Sequence, residues 1–340
     1  MAQEKVTNSS EKSGRFLFIF FAAFLLLGAL MVSVNYLTDR YRVFHDQDLV
    51  FHEILEPNTR VLKARYLEQH CSEFDAVIMG SSREIGYLTA DINRAFGIKA
   101  YNYGVAAGNL RGILGRLEWL DSMDCLPGRI FLPISIDKLR LPERPNDLLR
   151  KEYPAIIGSS EYRREFVLSY IGADAFLSNI RKLLRRMRRG DDPKFRYDLS
   201  TGDVYYLWDR TFEIDDCLTG ADHAGDLIIG QYADFLIEIQ SIAEQNGVRL
   251  SLLWNPQPIG VQLAHAGQAR DLFQLISARF DRIYRLPLSD ERLRDSAFYH
   301  DRGHFTHELG AAVFASDAHL VPFDTLLSEL EAAAGNCVQP

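Results

Sequence analysis

The chain reads as an α/β protein: a five-stranded parallel sheet with helices, plus one N-terminal transmembrane helix. Three observations predict this. Short apolar runs that end at Gly, Pro or charged residues alternate with longer stretches of helical spacing, the pattern of strand–helix–strand units joined by right-handed crossovers. Phe16 to Leu37 carries no charged residue over 22 positions, long enough to cross a bilayer as a single helix. Of the 340 residues, 47% are apolar and 25% charged, the composition of a packed globular protein. The net charge of −8 leaves no basic excess for a nucleic-acid backbone, so nucleic acid is set aside as a partner.

Residues 1–15 are polar and expected as a disordered cytoplasmic tail. Residues 16–37 read as an uncleaved anchor, because the apolar run is too long for a signal peptide and no small-x-small cleavage site follows it. Lys5, Lys12 and Arg15 precede the span and Arg40 and Arg42 follow it, which favours a cytoplasmic N-terminus and places the main domain outside the inner membrane. Residues 38–70, with charges on both sides of short apolar runs, read as a partly helical juxtamembrane stalk. The main domain is expected over 71–325.

Within that domain Ala76 to Met79 is a short apolar run stopped by Gly80, the pattern of a buried parallel strand. Arg83 to Phe96 should then be helical, and "GIKAYNYG" a second strand ending at Gly104. Leu110 to Leu120 has helical spacing, and Arg129 to Ser135 reads as a third strand. From about 141 to 220 the alternation is interrupted by an insertion. Glu161 to Arg189 reads as one or two helices ending in "IRKLLRRMRRG", either a solvated face or a surface for anionic headgroups or an acidic polymer. "KFRYDLSTGDVYYLW" reads as a β-hairpin, and the insertion is expected to form a lid or wall of the substrate site, with Tyr205, Tyr206 and Trp208 placed to stack on sugar rings or to pack the hairpin's own face. Asp226 to Gln245 is an amphipathic helix, "VRLSLLW" a fourth strand, Gln262 to Phe280 a helix and "RIYRLPL" a fifth strand. Thr306 to Leu320 is a final helix, and 326–340 is expected as a tail.

Two stretches carry chemistry. In "GSSREIG", Ser81 and Ser82 sit where a central strand turns into a helix, the carboxyl edge at which open α/β sheets place ligands and nucleophiles; serines there also serve as helix caps. In "FYHDRGHFTHELG", Asp301 lies three residues before His304, a spacing at which a loop carboxylate holds one imidazole nitrogen while the other faces a serine. His300, His304 and His307 also raise a metal site, but Gly303 interrupts a continuous helix and the zincin spacing is absent. Neither a metal nor a cofactor is assigned.

Together these stretches resemble the SGNH, or GDSL, hydrolase superfamily. Gly80, Ser82 and Gly86 keep the spacing of its first block with Ser81 in the Asp position, "YNYGVAAGN" is similar to its second, and Asp301 and His304 match its last. The resemblance implies a flavodoxin-like three-layer sandwich with strand order 2-1-3-4-5 and a Ser82–His304–Asp301 triad. It implies an oxyanion hole from the amides of Ser82 and Gly104. Arg83, Asn109, Tyr206 and Trp208 are candidate substrate-binding residues. The "GSS" variant resembles membrane-anchored members that act on cell-envelope polymers. The implied function is an extracytoplasmic serine esterase or O-acyltransferase acting on acyl esters of an envelope polymer or exopolysaccharide, with a membrane-bound acyltransferase as a further partner. The family's third block supplies an Asn to the oxyanion, but here no Asn follows the third strand until Asn146, and Asn109 is one substitute. A catalytically degenerate module that scaffolds polysaccharide-modifying machinery therefore stands as the alternative. A flavodoxin-like domain whose "GSSR" turn binds phosphate is another, and it requires His304 to lie far from Ser82.

In the implied strand order the first and third strands are neighbours, about 4.8 Å apart. Cys71 and Cys125 precede them by similar distances, so both fall at the amino-terminal edge of the sheet, within reach of a disulfide. Such a bond belongs to an oxidising compartment.

Overall fold

The computed structural model describes residues 2–45, 57–135, 147–189, 194–207, 213–214, 226–316 and 319–335. Helix α1 (Ala2–Thr38) opens the chain, and α2 (Thr59–His70) leads into β1 (Ala76–Gly80). Then α3 (Thr89–Phe96), β2 (Ala100–Gly104), α4 (Leu110–Ser122) and β3 (Arg129–Ile134) alternate. A single turn, α5 (Pro154–Ile157), precedes α6 (Ser160–Ile171), α7 (Ala173–Arg189) and a hairpin of β4 (Phe195–Tyr197) and β5 (Val204–Tyr206). Alternation resumes with α8 (Asp226–Gln245), β6 (Arg249–Trp254), α9 (Ile259–Ala264), α10 (Ala266–Ile276) and β7 (Arg282–Tyr284). A ribbon of β8 (Tyr299–Asp301) and β9 (His304–Phe305) follows, and α11 (His307–Val313), β10 (Leu320–Pro322) and α12 (Phe323–Gly335) close the chain. Two compact units result, Met1–Pro57 with Gly158–Pro193 and Asn58–Ile157 with Lys194–Pro340.

The second unit is α/β around a mixed six-stranded sheet of order β10-β7-β6-β3-β1-β2. Its five parallel strands are those expected. The sheet as a whole departs from the five-stranded parallel expectation, because β10 adds antiparallel to β7. Pro322 lies in that strand, and an edge is where a residue without an N–H is tolerated. β1 and β2 are buried throughout, and β3 after its first residue, so they present apolar side chains on both faces. Gly80 pairs with Gly104, which brings the first and second sequence blocks to one carboxyl edge. Helix α4 packs on α8, α8 on α10 and α10 on α12. Phe96 of α3 and Phe314, just after α11, pack on Phe131 in β3 and Tyr284 in β7. At the amino-terminal edge Cys71 and Cys125 are disulfide-bonded, with Cα atoms 5.6 Å apart.

Several boundaries differ from the sequence expectation: the helix expected over 262–280 is divided into α9 and α10, and the one expected over 306–320 ends at Val313, with Leu320 opening β10. The helix expected over 83–96 is split into a 3₁₀ segment, Ser82–Gly86, and α3. Gly86 lies against the Phe305 ring and its carbonyl against Gly310, and this close packing ends the first segment. The expected stalk is partly core: α2, capped by Asn58, buries Val61, Leu62, Ala64 and Leu67. The expected tail is partly helix, since α12 buries Phe323, Leu326 and Leu330. At the other end the expected disordered tail continues α1 back to Ala2, as elongation costs far less than nucleation.

In the first unit Ser13–Thr38 is long and apolar enough to cross a membrane. Where its apolar face ends, α1 is held by α6 and α7. Asn35 donates to the Gly172 carbonyl at 2.9 Å and accepts from Asn179 at 2.9 Å, Arg40 and Tyr41 both donate to Ser178, and Tyr41 packs edge-on against Tyr170. The insertion is thus divided between the units: α6 and α7 fold with α1, and α5 and the hairpin fold with the sheet.

Candidate active site

The site is built on the turn after β1. Ser81 is extended and caps the 3₁₀ segment: its Oγ accepts from the Arg83 amide, and the Glu84 carboxylate in return accepts from the Ser81 amide, a reciprocal capping box. Gly80 leaves room for this, since a Cβ there would collide with the Glu84 side chain. The cap is therefore Ser81, and Ser82 is left to face the loop more than 200 residues downstream. Ser82 Oγ lies 2.9 Å from His304 Nε2.

That loop joins β8 to β9. The Asp301 carboxylate accepts from the amides of Gly303 and His304 at 2.8 and 3.0 Å and lies 2.8 and 2.9 Å from His304 Nδ1. Burial pushes its carboxyl up, but the His304 hydrogen bond and charge and the two amides outweigh it and hold it down at about 2. An ionised carboxylate accepts only, so Nδ1 carries the proton and Nε2 is left to accept from Ser82. The order Ser–His–Asp matches the geometry of an activated nucleophile.

The oxyanion expectation needs correction at Gly104. Its amide donates to the Asn102 side chain at 2.9 Å and is taken. The loop that follows also borders the turn. A Cβ on Gly108 would strike the Gly80 carbonyl, so this loop lies against the nucleophile turn, and Ala107 is held at φ 50° with no acceptor for its amide among the described residues. Asn146 lies outside the described residues. Asn109 caps α4, accepting from the Gly112 amide at 2.8 Å, which accounts for its side-chain oxygen without a substrate.

Two supporting groups were not visible in the sequence. Arg60 of α2 donates to the carbonyls of Ala106 and Ala107 while paired with Glu152 at 2.9 Å, and Glu152 also binds the wholly buried Arg116 at 2.7 Å. Lys63, one turn on, donates to the carbonyls of Asn102 and Gly104 at 2.9 and 2.7 Å. Burial pushes its ammonium down to about 7. The second group ties the nucleophile turn to neighbouring strands. Asn255, after β6, donates to Glu84 at 2.9 Å and to Ser135 at 2.6 Å and accepts from the Tyr87 hydroxyl at 3.0 Å. The local sequence signal there is "NPQP", a proline-marked loop directly after β6.

Of the expected binding residues, Arg83 is buried, with its guanidinium against Gly303 in the loop between Asp301 and His304, rather than exposed as a ligand. Tyr206 is brought to the triad: its ring stacks on His300 at 4.1 Å and meets His304 edge-on at 5.9 Å. Burial pushes its phenol up, so it remains neutral. Tyr205 meets His307 edge-on, and His307 Nε2 faces the Val204 carbonyl at 3.3 Å. The three histidines thus have separate partners. Trp208 lies outside the described residues. In comparisons with known proteins, the chain matches no protein-family model, no curated protein and no solved structure.

Proposed function

We propose that the protein is a membrane-anchored SGNH-type serine esterase or O-acyltransferase acting on acyl esters of an envelope polymer or exopolysaccharide outside the cell membrane. The observation that carries this reading is the continuous Ser82–His304–Asp301 hydrogen-bonded chain. A flavodoxin-like layering is supported by the order β2-β1-β3-β6-β7 of the parallel strands. In the reaction Ser82 Oγ attacks the ester carbonyl as its proton passes to His304 Nε2, and the carbonyl electrons move onto oxygen. The tetrahedral adduct collapses, the C–O bond to the leaving alcohol breaks, and His304 returns the proton to that alcohol. Water then attacks the acyl-enzyme in an esterase, a sugar hydroxyl in a transferase. The amides of Ser82 and Ala107 are the assigned oxyanion donors. Tyr206 and His300 form an aromatic wall suited to a sugar ring.

The scaffold reading is favoured by the engaged Gly104 amide. Full-length protein in detergent, offered a fluorophosphonate and p-nitrophenyl acetate, separates the two. The enzyme reading expects labelling at Ser82, and turnover that falls on the order of 10⁶-fold in Ser82→Ala. An unlabelled, inactive wild type supports the scaffold instead.

A further inference from the structure

Helix α7 has two unlike faces. Ala175, Ser178 and Asn179 turn towards α1, and Ala175 and Asn179 are buried. At 100° per residue, Leu177, Ile180, Leu184 and Met187 fall on one stripe roughly opposite that contact, with Arg181, Arg185 and Arg188 along its flank. The stripe is not covered: Leu177, Leu184 and Met187 are 49, 47 and 76% exposed, and the three arginines are exposed as well. An apolar stripe edged by cations, on a helix with a strongly polar remainder, suits neither a soluble core nor open solvent; it is the pattern of a helix lying in a membrane interface.

The position of α7 supplies the second observation. It docks at Asn35, where the exposed apolar residues of α1, such as Leu26, Leu27 and Leu30, give way to the buried polar Asn35 and Thr38 and to Asp39 just past the helix. Asp39 there accepts the amides of Val43, Phe44 and His45. If α1 spans a bilayer, this polar junction is where the span meets the headgroups.

We propose that α7 is an in-plane interfacial helix that binds the anionic phospholipid surface of the leaflet in which α1 ends. Its apolar stripe enters the acyl boundary and its arginines contact lipid phosphates. Each cation near such a surface strengthens attachment about fivefold, so loss of three weakens it roughly 100-fold.

The test uses the full-length chain carrying Leu184→Trp in nanodiscs, with the wild-type chain as fluorescence background. The position is exposed, so the substitution leaves the fold intact, as circular dichroism checks. With brominated acyl chains, the added indole is quenched in discs of phosphatidylcholine plus phosphatidylglycerol and much less in phosphatidylcholine alone. High salt, or Arg181→Gln with Arg185→Gln and Arg188→Gln, reverses the quenching. Quenching that ignores headgroup charge and the glutamine variants overturns the anionic-surface assignment. An indole that is never quenched, or one that responds to soluble polyglucuronate rather than to lipid, overturns the interfacial helix itself.

Discussion

Neighbouring serines carry different loads. Ser81 spends its hydroxyl on the Arg83 amide and Ser82 presents its own to His304, so Ser81→Ala should cost about 1 kcal/mol of stability, the usual loss for an N-cap, whereas Ser82→Ala should leave the thermal midpoint nearly unchanged and remove turnover. Paired melting curves and ester-hydrolysis rates check this. Asp301→Asn keeps the packing but lets His304 adopt the wrong tautomer, and kcat should drop about 10⁴-fold with KM little changed. Lys63 gives a pH signature. In the folded protein it loses its proton near 7 rather than 10.5, so across that window the unfolded chain binds more protons and stability rises with pH. Asp203, raised by burial to about 6, acts in the separate window below 6 and with the opposite slope. Melting temperatures measured from pH 7 to 10 should climb in wild type and lie flatter in Lys63→Met. The triad was legible because its members sit in two short blocks whose spacing survives any loop. Lys63, Arg60 and Asn255 were not, since each acts through a contact 39 or more residues away in sequence that leaves no local pattern.

At the scale of elements, the strands read best. β1, β3 and β6 and helix α8 stand within a residue or so of their sequence limits, and β2 ends at the expected Gly104 but starts three residues late, because a buried parallel strand is a continuous apolar run and α8 is closed by Asn246-Gly247 with Gly247 at φ 64°. Elements that depend on what they pack against read worst. The break at Gly86 answers to Phe305 and Gly310, and the glycine alone does not separate a break from a residue tolerated inside a helix. Helix α2 read as part of a stalk because charges flank its short apolar runs, yet Arg60 pairs with Glu152 and Lys63 donates to two carbonyls inside the fold. Helix α12 looked like a tail because it is short and ends in alanines, yet Leu326 and Leu330 are fully buried. Leu326→Ala should therefore destabilise the protein by about 2–5 kcal/mol, as for a leucine cut from a packed core, and denaturant unfolding measures it. A true tail would show no change.

For the whole molecule, the Cys71–Cys125 bond joins the segments ahead of β1 and β3 at the edge opposite the triad and closes a sequence separation of 54 residues. Closing a loop of that length removes enough unfolded-chain entropy to contribute about 4 kcal/mol on the chain-entropy account, with 2–4 typical in practice. Ser82, Asp301 and His304 come from the other end of the strands, so loss of the bond should lower stability without altering the chemistry. Chain export ties this to topology. If the N-terminus is cytoplasmic, as the cations flanking α1 favour, the sheet unit folds in an oxidising compartment and the bond persists. Protein recovered from membranes, denatured without reductant and treated with a thiol reagent should leave Cys71 and Cys125 unlabelled, and Cys71→Ser should melt lower while keeping its ester turnover at low temperature. Full labelling of both cysteines in membrane-recovered protein would place the sheet on the reducing side and reverse the assigned orientation of α1.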